Sequence, residues 1–238
     1  MQTKASLLTA LLLLAPAAHA QGEPVQSTSA DLNGDGKPEA LSVQWKEGNA
    51  AFVLRAGGAT VKGSAANTEV RGLTVIDLDS SDKRKEVAVL TGMTEYDKRV
   101  DLYAFDGTSL KPLGSVPALT EVRGNGIILS DSWQGFWNRR DKFALDAKKT
   151  KVSEVPQELY YVGVEATVKQ LLPLTAGRAD KALVATLAQN SRIQVLAAAP
   201  PKGGKGDYLY LVKSATALLG WATAQDLVEK TEGLPMAG

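Results

Sequence analysis

Residues 31–45 read DLNGDGKPEALSVQW, an oxygen-rich turn that runs into a strand pattern. Side-chain oxygens recur at every second residue from Asp31, and Gly36 allows the left-handed backbone that bends such a turn around one point. Calcium takes roughly 6–8 oxygen ligands from loops with this spacing. An Asx-rich turn that only caps its own backbone is the alternative. We predict a structural calcium site formed by Asp31, Asn33, Asp35, the Lys37 carbonyl and Glu39.

The residues after this loop decide which kind of calcium loop it resembles. An EF-hand needs a bidentate glutamate at position 12 and flanking helices, whereas this chain has Ser42 there and a strand pattern in LSVQW. A loop that enters a strand and is closed by an acid at position 9 resembles the FG-GAP (VCBS-type) repeat. That resemblance implies β-propeller blades, as in integrin-like and many exported bacterial proteins.

A second acidic turn follows at a spacing typical of repeats of about 40–50 residues. It begins DLDSSDKRKE at Asp77 and also runs into a strand pattern, VAVL. It has one extra residue and no glycine after the third ligand position, so it is a weaker calcium candidate, with ligands Asp77, Asp79, Ser81 and Glu86. A third unit is expected from near Val122 to KFALDAKKTKV. Two or three blades cannot close a propeller of about 4–8, so we predict an open antiparallel sheet or a partial propeller over 31–157.

Short β-type segments separated by Gly, Asp and Pro fill this region, whereas residues 21–30 read as a flexible lead.

Within the second half, residues 179–188 fit either a short amphipathic helix or a strand pair. Residues 158–230 resemble the bacterial SH3-like (SH3b) domain, and 231–238 are expected to be a tail. The segments that match the family's pattern are VEATV (164–168), LVATL (183–187), the alternating Ile193 and Val195, and LGWA (219–222). The resemblance implies a small β-barrel that binds cell-wall peptide or glycan, and the whole chain is predicted to be all-β.

The N-terminus predicts export. Lys4, the apolar run LLTALLLLA and the A-x-A pattern at Ala18 and Ala20 are typical of a signal peptide over 1–20, cleaved after Ala20. The apolar run is too short to span a membrane. We therefore expect a periplasmic or secreted protein with no membrane span.

Composition removes several function classes. The single histidine lies inside the predicted signal peptide and the chain has no cysteine, so the mature protein can build neither a Ser-His-Asp nor a Cys-His nucleophile nor a His/Cys metal site. The 27 basic and 26 acidic residues nearly balance, which disfavours a nucleic-acid partner.

The most aromatic segment, WQGFWNRR at 133–140, offers Trp133, Trp137 and Arg139 as candidate ligand contacts. The alternative is that these residues close a core or an interdomain seam. The sequence favours a non-catalytic exported binding protein that recognises cell-wall peptide or glycan, or an envelope protein. The alternative is a carboxylate-based hydrolase of wall glycan, because paired acids suffice for that chemistry.

Overall fold

Antiparallel strands form nearly all of the regular structure, so the all-β prediction is confirmed. The computed structural model describes residues 23–94 and 96–236. The predicted signal peptide and its cleavage site lie outside the described residues. In the part of the chain that is described, no helix has the length and apolar character needed to cross a membrane.

Three four-stranded antiparallel sheets follow one another along the chain, each with its strands in sequential order. The first contains β1 (Ser27–Ala30), β2 (Glu39–Gln44), β3 (Ala51–Ala56) and β4 (Ala59–Ser64). The second contains β5 (Val70–Ile76), β6 (Glu86–Thr91), β7 (Arg99–Phe105) and β8 (Leu110–Val116). The third contains β9 (Glu121–Val122), β10 (Ile127–Trp133), β11 (Asn138–Leu145) and β12 (Val152–Val155). Four sequential antiparallel strands are the arrangement of one propeller blade.

The predicted flexible lead over 21–30 needs correction, because its second half is structured. Val25 forms an isolated bridge with Leu73, and residues 27–30 form β1, which pairs with β2. The side chains of STSA are small and polar because this strand lies at the edge of its sheet with most of its surface exposed. For this reason the composition of β1 resembles that of a loop.

The C-terminal part is one seven-stranded antiparallel sheet with the order β15-β14-β18-β17-β16-β13-β19. Its strands are β13 (Tyr160–Val168), β14 (Leu172–Thr175), β15 (Leu183–Leu187), β16 (Arg192–Ala199), β17 (Leu209–Ser214), β18 (Leu219–Thr223) and β19 (Thr231–Glu232). The order is open, since β15 and β19 are its two ends, so the closed barrel that we expected is not formed by the described strands. The register shifts in β13, β15 and β16 are the kind of bulge that bends a strand.

Two further segments differ from expectation. The predicted tail begins with β19, which pairs with the end of β13. Between β18 and β19 lies one helix, α1 (Ala224–Lys230), whose N-cap Thr223 accepts a hydrogen bond from the Asp226 N–H at 3.0 Å. For 179–188, where helix and strand were both open, the structure has β15.

Neighbouring sheets share their apolar cores. One core joins the first and second sheets and includes Phe52 and Tyr103, whose rings meet edge to face at 6.4 Å. A second core joins the second and third sheets through residues such as Leu102 and Ile128. The third core belongs to the C-terminal sheet but also contains Trp137 from the third sheet. The chain is therefore a stack in which each sheet is packed on the next.

Candidate functional site

The 31–39 loop is closed by its own hydrogen bonds. Asp31 accepts from the N–H groups of Gly34 and Gly36, each at 2.8 Å, and both glycines have positive φ values of 79° and 86°. Asn33 and Asp35 each accept from the N–H two residues further on, at 2.9 and 2.8 Å. These bonds form the Asx turns that were the alternative to a calcium site.

The second acidic turn repeats the framework of the first. The Leu32 N–H donates to Glu39 Oε2, and the Leu78 N–H donates to Glu86 Oε2, both at 2.9 Å. Both leucines are fully buried. Each leucine carbonyl accepts a hydrogen bond from a backbone N–H of the sheet that follows. The Lys85 N–H donates to Leu32 at 3.0 Å, and the Gly126 N–H donates to Leu78 at 2.6 Å. The two loops are therefore equivalent: each joins the first two strands of its own sheet and is hydrogen-bonded to the sheet that follows.

A lysine ammonium sits in the second loop. Lys149, in the turn between β11 and β12, places its Nζ 2.7 Å from Asp79 and 2.5 Å from Asp82. The hydrogen bond to Lys149 is the main reason why the pKa of Asp79 is lowered to about 2. Across the first loop, the corresponding turn between β7 and β8 presents Gly107 close to Asn33 instead of a lysine. The second loop thus holds an internal cation supplied by the next sheet.

The donor types in the first loop suit calcium, because they are all hard oxygens. Among the described residues, no ion pair involves Asp31, Asp35 or Glu39. Across residues 23–94 and 96–236, no three His, Cys, Asp or Glu side chains are gathered closely enough to hold a metal ion. The carboxylates would have to turn from the loop's N–H groups toward an ion, which leaves calcium a prediction.

Glu86 is the buried member of the second loop, at 8% exposure. Burial raises its pKa to about 6, and the nearby charge of Asp77 acts in the same direction. Asp77 Oδ1 is itself buried without a hydrogen-bond partner among the described residues. Two carboxylates, Asp77 and Glu86, are therefore close together on the buried side of the second loop, and their negative charges destabilise it. Lys149 forms an ion pair with neither of them.

Trp137 lies in the seam between the third sheet and the C-terminal sheet. It is 2% exposed, and its indole N–H donates to the Tyr210 hydroxyl at 3.2 Å. The rings of Tyr160 and Tyr208 lie 6.3 and 5.7 Å from it, and Phe136 packs on Tyr210 at 5.2 Å. Our interpretation of Trp137 as a ligand contact is corrected: its rings are covered by the seam, which was the alternative for this segment.

Arg139 belongs to the same seam rather than to a free surface. Its guanidinium bonds Asp141 at 2.7 Å, Glu154 at 2.8 Å and the Tyr208 hydroxyl at 3.0 Å, and lies 4.7 Å from the centre of the Tyr160 ring. Burial lowers the pKa of Arg139, but the hydrogen bond to Asp141 outweighs burial and leaves that pKa above its ordinary value. Each of its three guanidinium nitrogens has a hydrogen-bond partner, so Arg139 holds the third sheet against the C-terminal sheet.

The pairing of Arg139 with Asp141 has a counterpart one sheet earlier. In β7, Arg99 Nε donates to Asp101 at 2.8 Å, and Asp101 is buried as Asp141 is. The Arg99 side chain is 53% exposed but that of Arg139 only 24%, because the C-terminal sheet covers the latter. Sequence analysis missed this pair, although the repeated R-x-D spacing at the start of two aligned strand patterns could have shown it.

A groove of about 620 Å³ opens on the same seam, beside the buried aromatic residues. Trp133 lines it and is partly exposed, with its indole N–H buried and without a partner among the described residues. Tyr161, from β13, also lines the groove and is 78% exposed. Asp131 lines the groove as well and is held by a two-point ion pair to Arg140, with both distances 2.8 Å. Aromatic rings with a few fixed polar groups are typical of a ligand site.

The fold and the groove define a class only in broad terms: an all-β chain of stacked four-stranded sheets with an aromatic groove at the junction to a seven-stranded sheet. No protein-family model, no curated protein and no solved structure matches this chain.

Proposed function

We propose that this chain is a non-catalytic exported binding protein that holds cell-wall glycan or peptide in the seam groove. The observation that carries the proposal is that two aromatic side chains line that groove and reach its surface, Trp133 in part and Tyr161 for most of its area. Aromatic rings stack on sugar rings and on apolar side chains over large areas at low entropic cost. Export is supported by the N-terminal sequence alone.

The groove supports binding better than hydrolysis. Glycoside hydrolysis needs two carboxyl groups on either side of the bond that is cleaved. Among the described residues that line the groove, Asp131 is the only carboxylate, and Arg140 neutralises it. A wall-glycan hydrolase is therefore the weaker candidate, and it predicts a product that binding does not.

The N-terminal half is proposed to resemble FG-GAP blades, and the C-terminal sheet an SH3-like module. Support comes from the four-stranded sheets, from the equivalent acidic loops and from the strand order around β16 to β18. Calcium in the 31–39 loop would have a structural role. Its support is the equivalent loop, where a cation is already present as the Lys149 ammonium.

Co-sedimentation of the mature protein with purified sacculi tests the proposal. We expect binding that falls about tenfold in Tyr161→Ala, because a central aromatic contact contributes on the order of 1.4 kcal/mol or more. Tyr96→Ala is the matched control, since Tyr96 is 72% exposed on a different part of the molecule.

Three results would contradict the proposal in different ways. Equal loss in both tyrosine variants would mean that the groove is not the site. Release of soluble reducing ends from the sacculi would identify a hydrolase. No sedimentation, together with capture of one stoichiometric envelope protein, would identify a subunit of an envelope complex.

A further inference from the structure

Four side chains of the β10–β11 hairpin form a two-by-two arrangement in the seam groove. In the register of the two strands, Asp131 lies opposite Arg140 and Trp133 lies opposite Asn138. Alternate residues of a strand share a face, so all four side chains are on one face of the hairpin, and all four line the groove. Opposite Cβ atoms are about 5 Å apart and alternate residues about 7 Å. The arrangement is therefore about as wide as one six-membered sugar ring with its hydroxyl groups.

The three polar side chains of this arrangement can form more hydrogen bonds than they do. A carboxylate accepts up to about four, and Asp131 accepts two from Arg140, through Nε and Nη2. None of the hydrogen bonds in the described part of the chain involves Arg140 Nη1 or the Asn138 side-chain amide. Solvent reaches all three groups, because the Arg140 and Asp131 side chains are 57% and 26% exposed and Asn138 is exposed. A ligand in the groove can therefore use acceptors and donors that the protein leaves open.

The groove has no net charge to offer a ligand. Among the described residues that line it, Asp131 and Arg140 are the only acid and the only base, and each neutralises the other. An ionised ligand group would lose its hydration here without an unpaired opposite charge to replace the water. A hydroxyl group carries no such cost, and its hydrogen bonds to a carboxylate or a guanidinium are stronger than those between neutral groups. The groove therefore favours an uncharged, hydroxyl-rich ligand.

Tyr161 supplies an aromatic surface whose position is fixed by its own strand. A Cβ atom at Gly163 would overlap the Tyr161 ring and hydroxyl, so the ring lies directly against the backbone there. Gly163 belongs to the bulge of β13 between Tyr161 and Val164, and its φ is 70°. The ring is held against the strand, yet the residue is 78% exposed. A ring that is already held loses little conformational entropy when a sugar stacks on it.

We infer that the seam groove is a subsite for an uncharged pyranose, which rests on the proposed function and selects the wall glycan over the wall peptide as its ligand. Tyr161 stacks on the apolar face of the sugar ring. Asp131 accepts hydrogen bonds from ring hydroxyl groups, while Arg140 Nη1 and the Asn138 amide donate to hydroxyl or acetamido oxygens. A peptide with ionised groups binds poorly, because the charges of the groove are already paired with each other.

Titration of the intact mature protein, followed through the backbone amide signals of β10 and β11 by NMR, compares two soluble probes. One is triacetylchitotriose, an uncharged trisaccharide, and the other is N-acetylated Ala-Glu-Lys-Ala-Ala, a peptide with ionised side chains and a free carboxylate. We expect the trisaccharide to bind at least tenfold more tightly than the peptide. Peptide binding that is as tight or tighter overturns the choice of glycan but leaves the proposed function standing. Binding of neither probe also overturns it, and loss of co-sedimentation with sacculi as well would remove the proposed function.

Three variants test the polar contacts. Asn138→Ala removes a side-chain amide without hydrogen bonds in the described structure, so it should weaken trisaccharide binding about threefold and leave the melting temperature unchanged. Asp131→Asn leaves Arg140 unpaired, so it should weaken trisaccharide binding about tenfold and strengthen binding of the acidic peptide. Asp180→Asn is the matched control, because Asp180 is exposed and does not line the groove. Trisaccharide binding that is unchanged in both groove variants overturns the subsite, and the comparison of the two probes on the wild type decides the question if Asp131→Asn does not fold.

Discussion

Replacing Glu86 with glutamine should stabilise the protein at neutral pH, although Glu86 accepts a buried hydrogen bond. Burial raises the pKa of Glu86 from 4.5 to about 6. The folded state therefore binds this proton more tightly than the unfolded state. The resulting stability is fully present below about pH 4.5 and is lost as the pH rises through about 6. At about 1.4 kcal/mol per pKa unit, the buried charge costs on the order of 2 kcal/mol at pH 7.5.

Glutamine keeps an oxygen for the Leu78 N–H and carries no charge, so it should remove that cost without losing the bond. Urea unfolding at pH 4.0 and pH 7.5 measures the effect. The free energy of unfolding of Glu86→Gln should exceed that of the wild type by about 2 kcal/mol at pH 7.5 and should equal it at pH 4.0. Glu39→Gln is the matched control, because Glu39 accepts the equivalent bond from Leu32 at a partly exposed position. A Glu86→Gln protein that is less stable at pH 7.5, or that differs equally at both pH values, would refute the reasoning.

Three further predictions concern the loops and the seam. Asp35→Ala should lower the melting temperature more in millimolar calcium than in a chelator, where only the bond from the Lys37 N–H is lost, and equal effects in both would remove calcium from the 31–39 loop. Lys149→Met should lower the melting temperature equally with and without calcium, because it leaves two carboxylates facing each other; a scan in both buffers that shows no change would mean that the internal cation is dispensable. Tyr210→Phe should lower the free energy of unfolding by about 1–3 kcal/mol, since it removes the only acceptor that Trp137 has among the described residues, and a value near zero in denaturant titration would contradict that role.

Local patterns predicted the strands well where the side chains alternate. LSVQW overlaps β2, where burial alternates along the strand. VAVL lies within β6, which was recognised as an apolar run because both of its faces are buried. β1 was missed because its polar edge residues carry no such period. α1 was missed although Thr223 and Asp226 have the spacing of an N-cap, since the SH3-like interpretation assigned that segment to the end of a barrel.

The candidate sites depended more on contacts between distant residues. The acidic loops could be recognised as equivalents because their residues are consecutive. Nothing local indicates that Lys149 reaches back to Asp79 from the next sheet. The same limit applies to Trp137, whose covering tyrosines come from β13 and β17. A segment rich in Trp and Arg is compatible both with a surface that binds a ligand and with a buried seam between two sheets. Only the packing of the two sheets shows which of these it forms.

The most direct test of a ligand in the seam groove is the indole N–H signal of Trp133 in a ¹⁵N spectrum of the mature protein. Trp45 is an internal reference, because its indole N–H is held by the Asn49 carbonyl at 2.9 Å in the first sheet. On titration with solubilised wall fragments, the Trp133 signal should shift saturably while the Trp45 signal remains in place. No saturable shift of Trp133, in a preparation that co-sediments with sacculi, would contradict the placement of the ligand in this groove.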